Sequence, residues 1–256
     1  MSQKERAALL HKLHVKGEPL ILFNIWDAGG AKAVQEAGAK AIATGSHSVA
    51  AANGFDDGEN LPLDVALANA KRITAAVDLP VTIDFEGGYA EDVSGLRENI
   101  SAVIAVGAVG INFEDQIVGG EGLYSIADQC ARIAAVREAA NETGIDLFIN
   151  ARTDVFLKIL PAEDTDELVS QAAERAKAYA EAGASGFFAP GMRNPELIGK
   201  LCELSPLPVN IMVMPDTPPS KRMAELGVAR ISYGPGPYRM AMEFLKEEAK
   251  KAISYS

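Results

Sequence analysis

Cysteine, histidine and tryptophan are scarce in this chain of 256 residues, which holds 2 cysteines, 3 histidines and 1 tryptophan. Cys130 and Cys202 lie far apart, with no CxxC spacing and no Cys/His cluster, which excludes a small disulfide-stapled scaffold. Both read as small buried residues in a reducing compartment. Basic residues are also in short supply. Lys and Arg number 24 against 35 Asp and Glu, a net charge of −11, so no broad surface for nucleic acid is expected. Long apolar runs are missing too. The longest, Ala102 to Phe113, is broken by Asn112 and is too short to span a bilayer. The start, Met1-Ser2-Gln3-Lys4-Glu5-Arg6, leads into an amphipathic stretch rather than an apolar signal region, so a cytoplasmic protein is expected. What is present is enough apolar material, 48% of residues, to fill a sizeable core. No Ser/Pro-rich linker or low-complexity tract divides it, so one domain over 1–256 is expected.

A weak internal repeat organises the sequence. Four times a helical pattern ends in glycine and a short apolar run follows: Gly38 into Ala41-Ile42-Ala43, Gly107 into Val109 to Phe113, Gly183 into Gly186-Phe187-Phe188, and Gly227 into Arg230-Ile231-Ser232. Glycine after a helix adopts the left-handed conformation cheaply and turns the chain into the next strand. Extending the pattern predicts strands near 20–25, 41–44, 80–84, 109–113, 146–150, 185–188, 208–213 and 229–232. Helices are predicted near 28–37, 62–77, 92–106, 125–141, 165–182, 195–204, 218–226 and 237–250, after a short N-terminal helix. Eight strand-then-helix units in about 230 residues match an α/β fold of the (β/α)8 TIM-barrel kind. A doubly wound open sheet would use fewer units and a nucleotide fingerprint that is missing here.

In such a barrel the chemistry lies just after the C-terminal ends of the strands. Acids and an arginine gather there. Asp84 and Glu86 are two apart at one strand end, Glu114 ends the next, and Arg152 the one after. Converging carboxylates suit a hard divalent cation, or else form a salt-bridge cluster at the rim, and pattern alone leaves both open. Arg152 could pair with those acids or grip a carboxylate or phosphonate. Ser46 and His47 lack the context of a hydrolase triad, and the Gly45–Ser48 turn reads as a backbone donor to an oxyanion or an ordinary turn. His11 and His14 read as solvated surface residues. Gly234-Pro235-Gly236-Pro237 reads as a turn, because its prolines lack the N–H groups that a phosphate loop needs.

At these residues the sequence resembles the isocitrate lyase/phosphoenolpyruvate mutase superfamily over nearly its whole length. The resemblance rests on Asn24-Ile25-Trp26-Asp27-Ala28, Thr44-Gly45-Ser46, Asn53 to Gly58 and Asp84-Phe85-Glu86-Gly87-Gly88-Tyr89. It continues in Glu114-Asp115-Gln116, Ala151-Arg152-Thr153-Asp154 and Asn210 ahead of Thr217-Pro218. It implies a barrel whose C-terminal helix is exchanged between subunits of a homo-oligomer, a dimer or tetramer. It also implies a Mg2+-dependent (or Mn2+-dependent) enzyme working through a metal-bound enolpyruvate. Carried over by position, Asp84 would ligate the metal directly, with Glu86 and Glu114 acting through water. Arg152 would neutralise the substrate carboxylate and developing enolate, and Asp57 would lie on a mobile gating loop. Ser46, His47, Asp84, Arg152 and Asn210 would hold the small carboxylate or phosphonate substrate.

The sequence departs from the family pattern at several places. The usual Asp-x-Asp is Asp84-Phe85-Glu86, longer by a methylene. Where the lyases carry a Lys-Lys-Cys-Gly-His segment, Ile117-Val118-Gly119-Gly120-Glu121-Gly122 stands instead. The Lys and Asn of the mutase gating loop are not evident, and Ala189-Pro190 replaces a lyase glutamate. Three readings follow: a C–C lyase or decarboxylase of a small 2-oxo or 2-hydroxy acid, a P–C mutase or hydrolase of the phosphonopyruvate kind, and a non-catalytic barrel that binds 2-oxo acids.

Overall fold

The computed structural model describes residues 1–159 and 164–254. Eight parallel strands form one sheet: β1 (Leu20–Leu22), β2 (Ile42–Ala43), β3 (Val81–Asp84), β4 (Gly110–Glu114), β5 (Phe148–Arg152), β6 (Gly186–Phe188), β7 (Val209–Met212) and β8 (Arg230–Ser232). Each pairs with the next in sequence, from β2 to β8, and β8 pairs back onto β1. Between β1 and β2 the Ile25 N–H donates to Ala43 O at 2.8 Å and a single parallel bridge joins Ile25 to Thr44. The ring is therefore nearly closed, the (β/α)8 TIM barrel expected from the sequence.

Helices follow the strands: α2 (Ala28–Glu36), α3 (Ser46–Ala52), α4 (Leu63–Ala76), α5 (Val93–Ala105), α6 (Ile126–Thr143), α7 (Asp166–Glu181), α8 (Pro195–Leu204), α9 (Ser220–Glu225) and α10 (Gly236–Ile253), with α1 (Gln3–Lys12) before β1; α10 buries only Pro237 and is exposed along most of its length. Local sequence dictates their ends. Asp27, Asp92, Ser125, Thr165 and Asn194 each accept a backbone N–H of the first turn, satisfying donors that the helix cannot. The four repeat glycines, Gly38, Gly107, Gly183 and Gly227, sit at φ of 94°, 96°, 104° and 90°, where any side chain is strained.

Four details differ from expectation. The segment after β2 is the helix α3, whose Ser-His-Ser start and short alanine run carry no apolar period that would reveal it. The fifth strand lies two residues later than the predicted 146–150, so Arg152 belongs to it. His14 is not a solvated residue. It stacks on Phe148 with ring centroids 3.9 Å apart, its Nδ1 lies 2.7 Å from Leu10 O, and its Nε2 is buried with no partner. Of the cysteines, Cys202 is buried as expected and Cys130 is partly exposed.

The barrel interior is unusually polar. Such interiors normally stack branched apolar residues in layers. Here Thr82, Asn112, Asn150, Asn210, Arg230 and Ser232 are buried on the strands. Arg230 donates from Nη2 to Asn112 Oδ1 at 3.0 Å and from Nε to Ser232 Oγ at 3.3 Å. Asn150 Nδ2 donates to Asn112 Oδ1 at 2.9 Å, and Ser232 Oγ to Asn210 Oδ1 at 3.2 Å. The close quarters are visible at Gly110, where an added Cβ would lie 2.7 Å from Leu10 Cδ2 and 2.9 Å from Thr82 Oγ1. Burial without a carboxylate partner draws the Arg230 guanidinium down to about 9, although Asp84 opposes that shift.

Burial holds the His14 pKa down at about 3, below its ordinary value of 6.5. Its neutral form is the folded form, so the stability is complete above pH 6.5. It is lost as pH falls towards 3, because only the unfolded chain takes the proton. Urea unfolding across that window should show wild type losing about 1.4 kcal/mol per pH unit relative to His14→Phe. Parallel pH profiles for the two proteins would refute the assignment.

Candidate active site

Strand parity aims the site. Asp84, Glu114 and Arg152 end three adjacent strands, and β4–β5 register places Glu114 opposite Arg152. Asp84 and Arg152 border a cleft of about 670 Å³ at the C-terminal mouth of the barrel. Asp84 forms its floor. Its Oδ2 accepts the Ser46 N–H at 3.1 Å and its Oδ1 faces Asn112 Nδ2 at 3.4 Å, a weak contact. Among the described residues Asp84 makes no ion pair within 4.0 Å, so its lone pairs remain available beside the cleft.

Arg152 is gripped from two sides. Its Nε and Nη2 donate to Asp154 Oδ1 and Oδ2 at 2.6 and 2.9 Å, and its Nη1 lies 2.8 Å from Glu114 Oε2. Burial opposes the guanidinium charge, but Glu114 and Asp154 more than offset it, so Arg152 stays charged. Burial also pushes Glu114 well above the carboxylate range, while Arg152 pulls it back. Asp154 is fixed in turn, since its N–H donates to Asp115 Oδ1 at 3.0 Å. Asp115 is wholly buried and also receives Tyr179 Oη at 2.8 Å and Arg175 Nη1 at 3.1 Å.

Glu86 turns away from Glu114 and engages the loop before α4. Its Oε2 accepts the N–H groups of Gly58 and Glu59, both at 2.9 Å. Glu59 reciprocates, its Oε1 accepting the Tyr89 N–H at 2.8 Å. Glu59, Glu86 and Tyr89 all have left-handed backbones, with φ of 58°, 49° and 56°. That conformation is costly for residues with side chains, and the reciprocal brace holds it. Burial first, then Asp84 and Asp57, push the Glu86 carboxyl up to about 7.

Of the residues singled out from sequence, Ser46, His47, Asp57, Asp84 and Arg152 line the cleft together. Glu86 and Glu114 do not line it, and among the described residues no three acid, histidine or cysteine side chains stand close enough to hold an ion between them. Asn210 sits within the barrel beneath Ser232, off the cleft wall. Sequence reasoning missed Asn112 and Arg239, which line the cleft. It also missed the task of Asn24, whose Oδ1 accepts the N–H groups of Tyr233 and Gly234, both at 2.9 Å. The Gly-Pro-Gly-Pro turn is thereby tied to β1 rather than open to phosphate. Asn112 was discoverable as a polar residue at an inward position of an otherwise apolar strand.

If Glu86 holds the 57–59 loop, Glu86→Asp is too short to reach both N–H groups. Amide exchange at Gly58 and Glu59 should then quicken at least tenfold, with β4 amides unchanged. Unaltered exchange at those two amides would show that the brace does not restrain the loop.

The phosphoenolpyruvate phosphomutase family model matches residues 10–253. A Mycobacterium tuberculosis protein of uncharacterised activity is 31% identical over 95% of this chain and 88% of its own. The 2-methylisocitrate lyase of Escherichia coli is 32% identical over 72% of this chain and 60% of its own. A Burkholderia cenocepacia protein whose structure was described as that of a candidate phosphonomutase is 48% identical, covers 98% of this chain and 100% of its own, and superposes with a TM-score of 0.95. Phosphonopyruvate hydrolase in complex with oxalate and Mg2+ shares the fold at 22% identity, covering 96% of this chain and 85% of its own with a TM-score of 0.79. The barrel is thus that of a known lineage, and the chain belongs to the phosphoenolpyruvate phosphomutase family, within the superfamily that includes the isocitrate lyases.

Proposed function

We propose that the chain is a Mg2+-dependent enzyme of a small 2-oxo or 2-hydroxy carboxylic acid, breaking a C–C bond as a lyase or decarboxylase. The observation that carries this reading is Asp84, a carboxylate on the cleft floor with no cationic partner within 4.0 Å among the described residues, beside a charged Arg152. The donor set fits the ion. Mg2+ takes one or two carboxylates and otherwise keeps water and substrate oxygens, and one direct ligand, Asp84, is what this geometry offers. Glu114 and Glu86 would act through water, Glu86 from its position on the loop brace. When bound, the ion would supply Lewis-acid stabilisation of negative charge on the substrate's oxygens.

The protein's own groups account for the rest. Cleavage beside a 2-oxo group leaves an electron pair on the three-carbon fragment, delocalised towards its 2-oxo oxygen. Arg152, held by Glu114 and Asp154, presents fixed positive charge without reorganisation. Ser46 and His47 line the wall where the 2-oxo acid would sit, and Asp57 is carried at the mouth by the braced loop. A bond-breaking step that expels CO2 requires no strong general acid. That suits a chain with Ile117 to Gly122 where the lyases carry their cysteine.

P–C bond chemistry, mutase or hydrolase, is the second reading, and the 48% identity to the Burkholderia protein described as a candidate phosphonomutase favours it. Oxaloacetate, 2-methylisocitrate, isocitrate and phosphonopyruvate, each with Mg2+ and with EDTA, separate the two. Turnover, read as pyruvate from oxaloacetate, from 2-methylisocitrate or from phosphonopyruvate hydrolysis, as glyoxylate from isocitrate, and as phosphoenolpyruvate from mutase action, should need the metal and fall at least a hundredfold in Asp84→Asn, with the preferred substrate naming the bond. Turnover indifferent to EDTA and to Asp84→Asn would sink the reading. Silence on all four acids with Mg2+-dependent oxalate binding retained would favour the non-catalytic barrel.

The homo-oligomer with an exchanged α10 belongs to this proposal as well. Its support is the outward face of α10, where Phe244 is 70% and Leu245 60% exposed. Apolar side chains so bare on one helix favour a covering surface. Light scattering should report a dimer or tetramer that Phe244→Glu with Leu245→Glu converts to monomer. A monomeric wild type would overturn it.

A further inference from the structure

One guanidinium on the cleft wall has nothing to hold. Arg239, in the first turn of α10, lines the cleft with Asp57, Asp84 and Arg152 and is exposed to solvent. Among the described residues its side chain has no hydrogen-bond or ion-pair partner. Arg152, in contrast, is tied to two carboxylates. Helix chemistry does not account for Arg239 either. A cation in the first turn meets the positive end of the helix dipole, whereas α10 places Lys250 and Lys251 favourably in its last turn. Glu243, one turn further on and the natural partner by spacing, is taken by Lys246.

The cleft walls also differ in kind. Asn24, Ser46, Asp84 and Asn112 make one side polar, while Leu157, Phe188, Pro190 and Met212 make another apolar. A 2-oxo acid oriented by Asp84 and Arg152 would run its remaining atoms along the apolar side towards the mouth. We infer that Arg239 is a specificity-determining residue that binds a second anionic group, carboxylate or phosphonate, at the far end of the substrate. The inference rests on the reading of Asp84 and Arg152 given above. It restricts the substrate class to 2-oxo or 2-hydroxy acids bearing a second anion beyond a short apolar segment.

Trp26 is the sole tryptophan, and its ring meets Tyr238, the neighbour of Arg239, edge-on at 5.1 Å. Its fluorescence therefore gives a binding signal that needs no turnover. Wild type, Arg239→Gln and Arg239→Lys would be titrated with oxalate, oxaloacetate and phosphonopyruvate in Mg2+, on a timescale shorter than decarboxylation. Arg239→Gln should leave oxalate affinity within twofold, because oxalate is too short to reach the mouth. It should weaken the longer acids at least tenfold, and Arg239→Lys should recover most of that loss. A loss confined to oxaloacetate or to phosphonopyruvate would identify the second anion as carboxylate or phosphonate. Equal weakening of all three acids would reduce Arg239 to general electrostatics, and no weakening of either longer acid would remove it from the site. Failure of wild type to bind oxalate would instead overturn the reading of Asp84, and this inference with it.

Discussion

The structure depends on keeping charge on side chains that are largely buried at the barrel mouth. Arg152 is the pivot. A buried guanidinium is tolerable only when its donors meet acceptors in good geometry, and Asp154 and Glu114 provide them from the same strand end and its neighbour. Once that arrangement is fixed, other positions lose their freedom. Asp154 needs its own backbone held, which Asp115 does, and Asp115 needs Arg175 and Tyr179 from α7 to be buried at all. The EDQ and ARTD segments are thus one unit, in which Asp115 and Asp154 support the geometry and Arg152 displays it.

Beneath this layer lies a second device. Arg230 has no carboxylate within ion-pair distance among the described residues. Its charge reaches Asp84 through Asn112, which accepts from Arg230 at Oδ1 and turns its amide nitrogen towards Asp84. The amide cannot be flipped without facing two donors, Arg230 Nη2 and Asn150 Nδ2, with a third. Asn112 is therefore oriented from below. Asp84 is supported by charge at a distance and left without a salt bridge of its own. Direct pairing with Arg230 would have filled the lone pairs that the cleft presents.

Most of the barrel was legible in sequence because the signals were local. A glycine after four of the helices and a short apolar run on each strand reflect backbone conformation and two-sided burial, and both act within a few residues. The ends of the site were legible for the same reason, since Asp84, Glu114 and Arg152 are strand termini. What escaped depends on distant partners. His14 looked solvated because nothing near it in sequence shows that Phe148 stacks against it. Asn24 looked ordinary because its two donors lie on the loop after β8, more than two hundred residues away. α3 escaped for another reason: it is a polar Ser-His-Ser start followed by a valine and three alanines, so no hydrophobic period marks it.

Glu86 shows how one methylene can move a residue from one task towards another. The backbone there is left-handed, and the side chain reaches the loop before α4. An aspartate at that position would end one carbon short of the loop N–H groups that Glu86 accepts at 2.9 Å. The longer side chain reaches them and ties Asp57 to the cleft mouth through its neighbours Gly58 and Glu59. Four carboxylates, Asp57, Glu59, Asp84 and Glu86, are then crowded together, and their mutual repulsion is part of what raises the Glu86 carboxyl. Such crowding favours any bound cation near Asp84 even when only one of the four touches it. The longer side chain therefore stays beside Asp84 and Asp57 while its oxygen is committed to the loop N–H groups, and so exchanges a free carboxylate for a fixed loop.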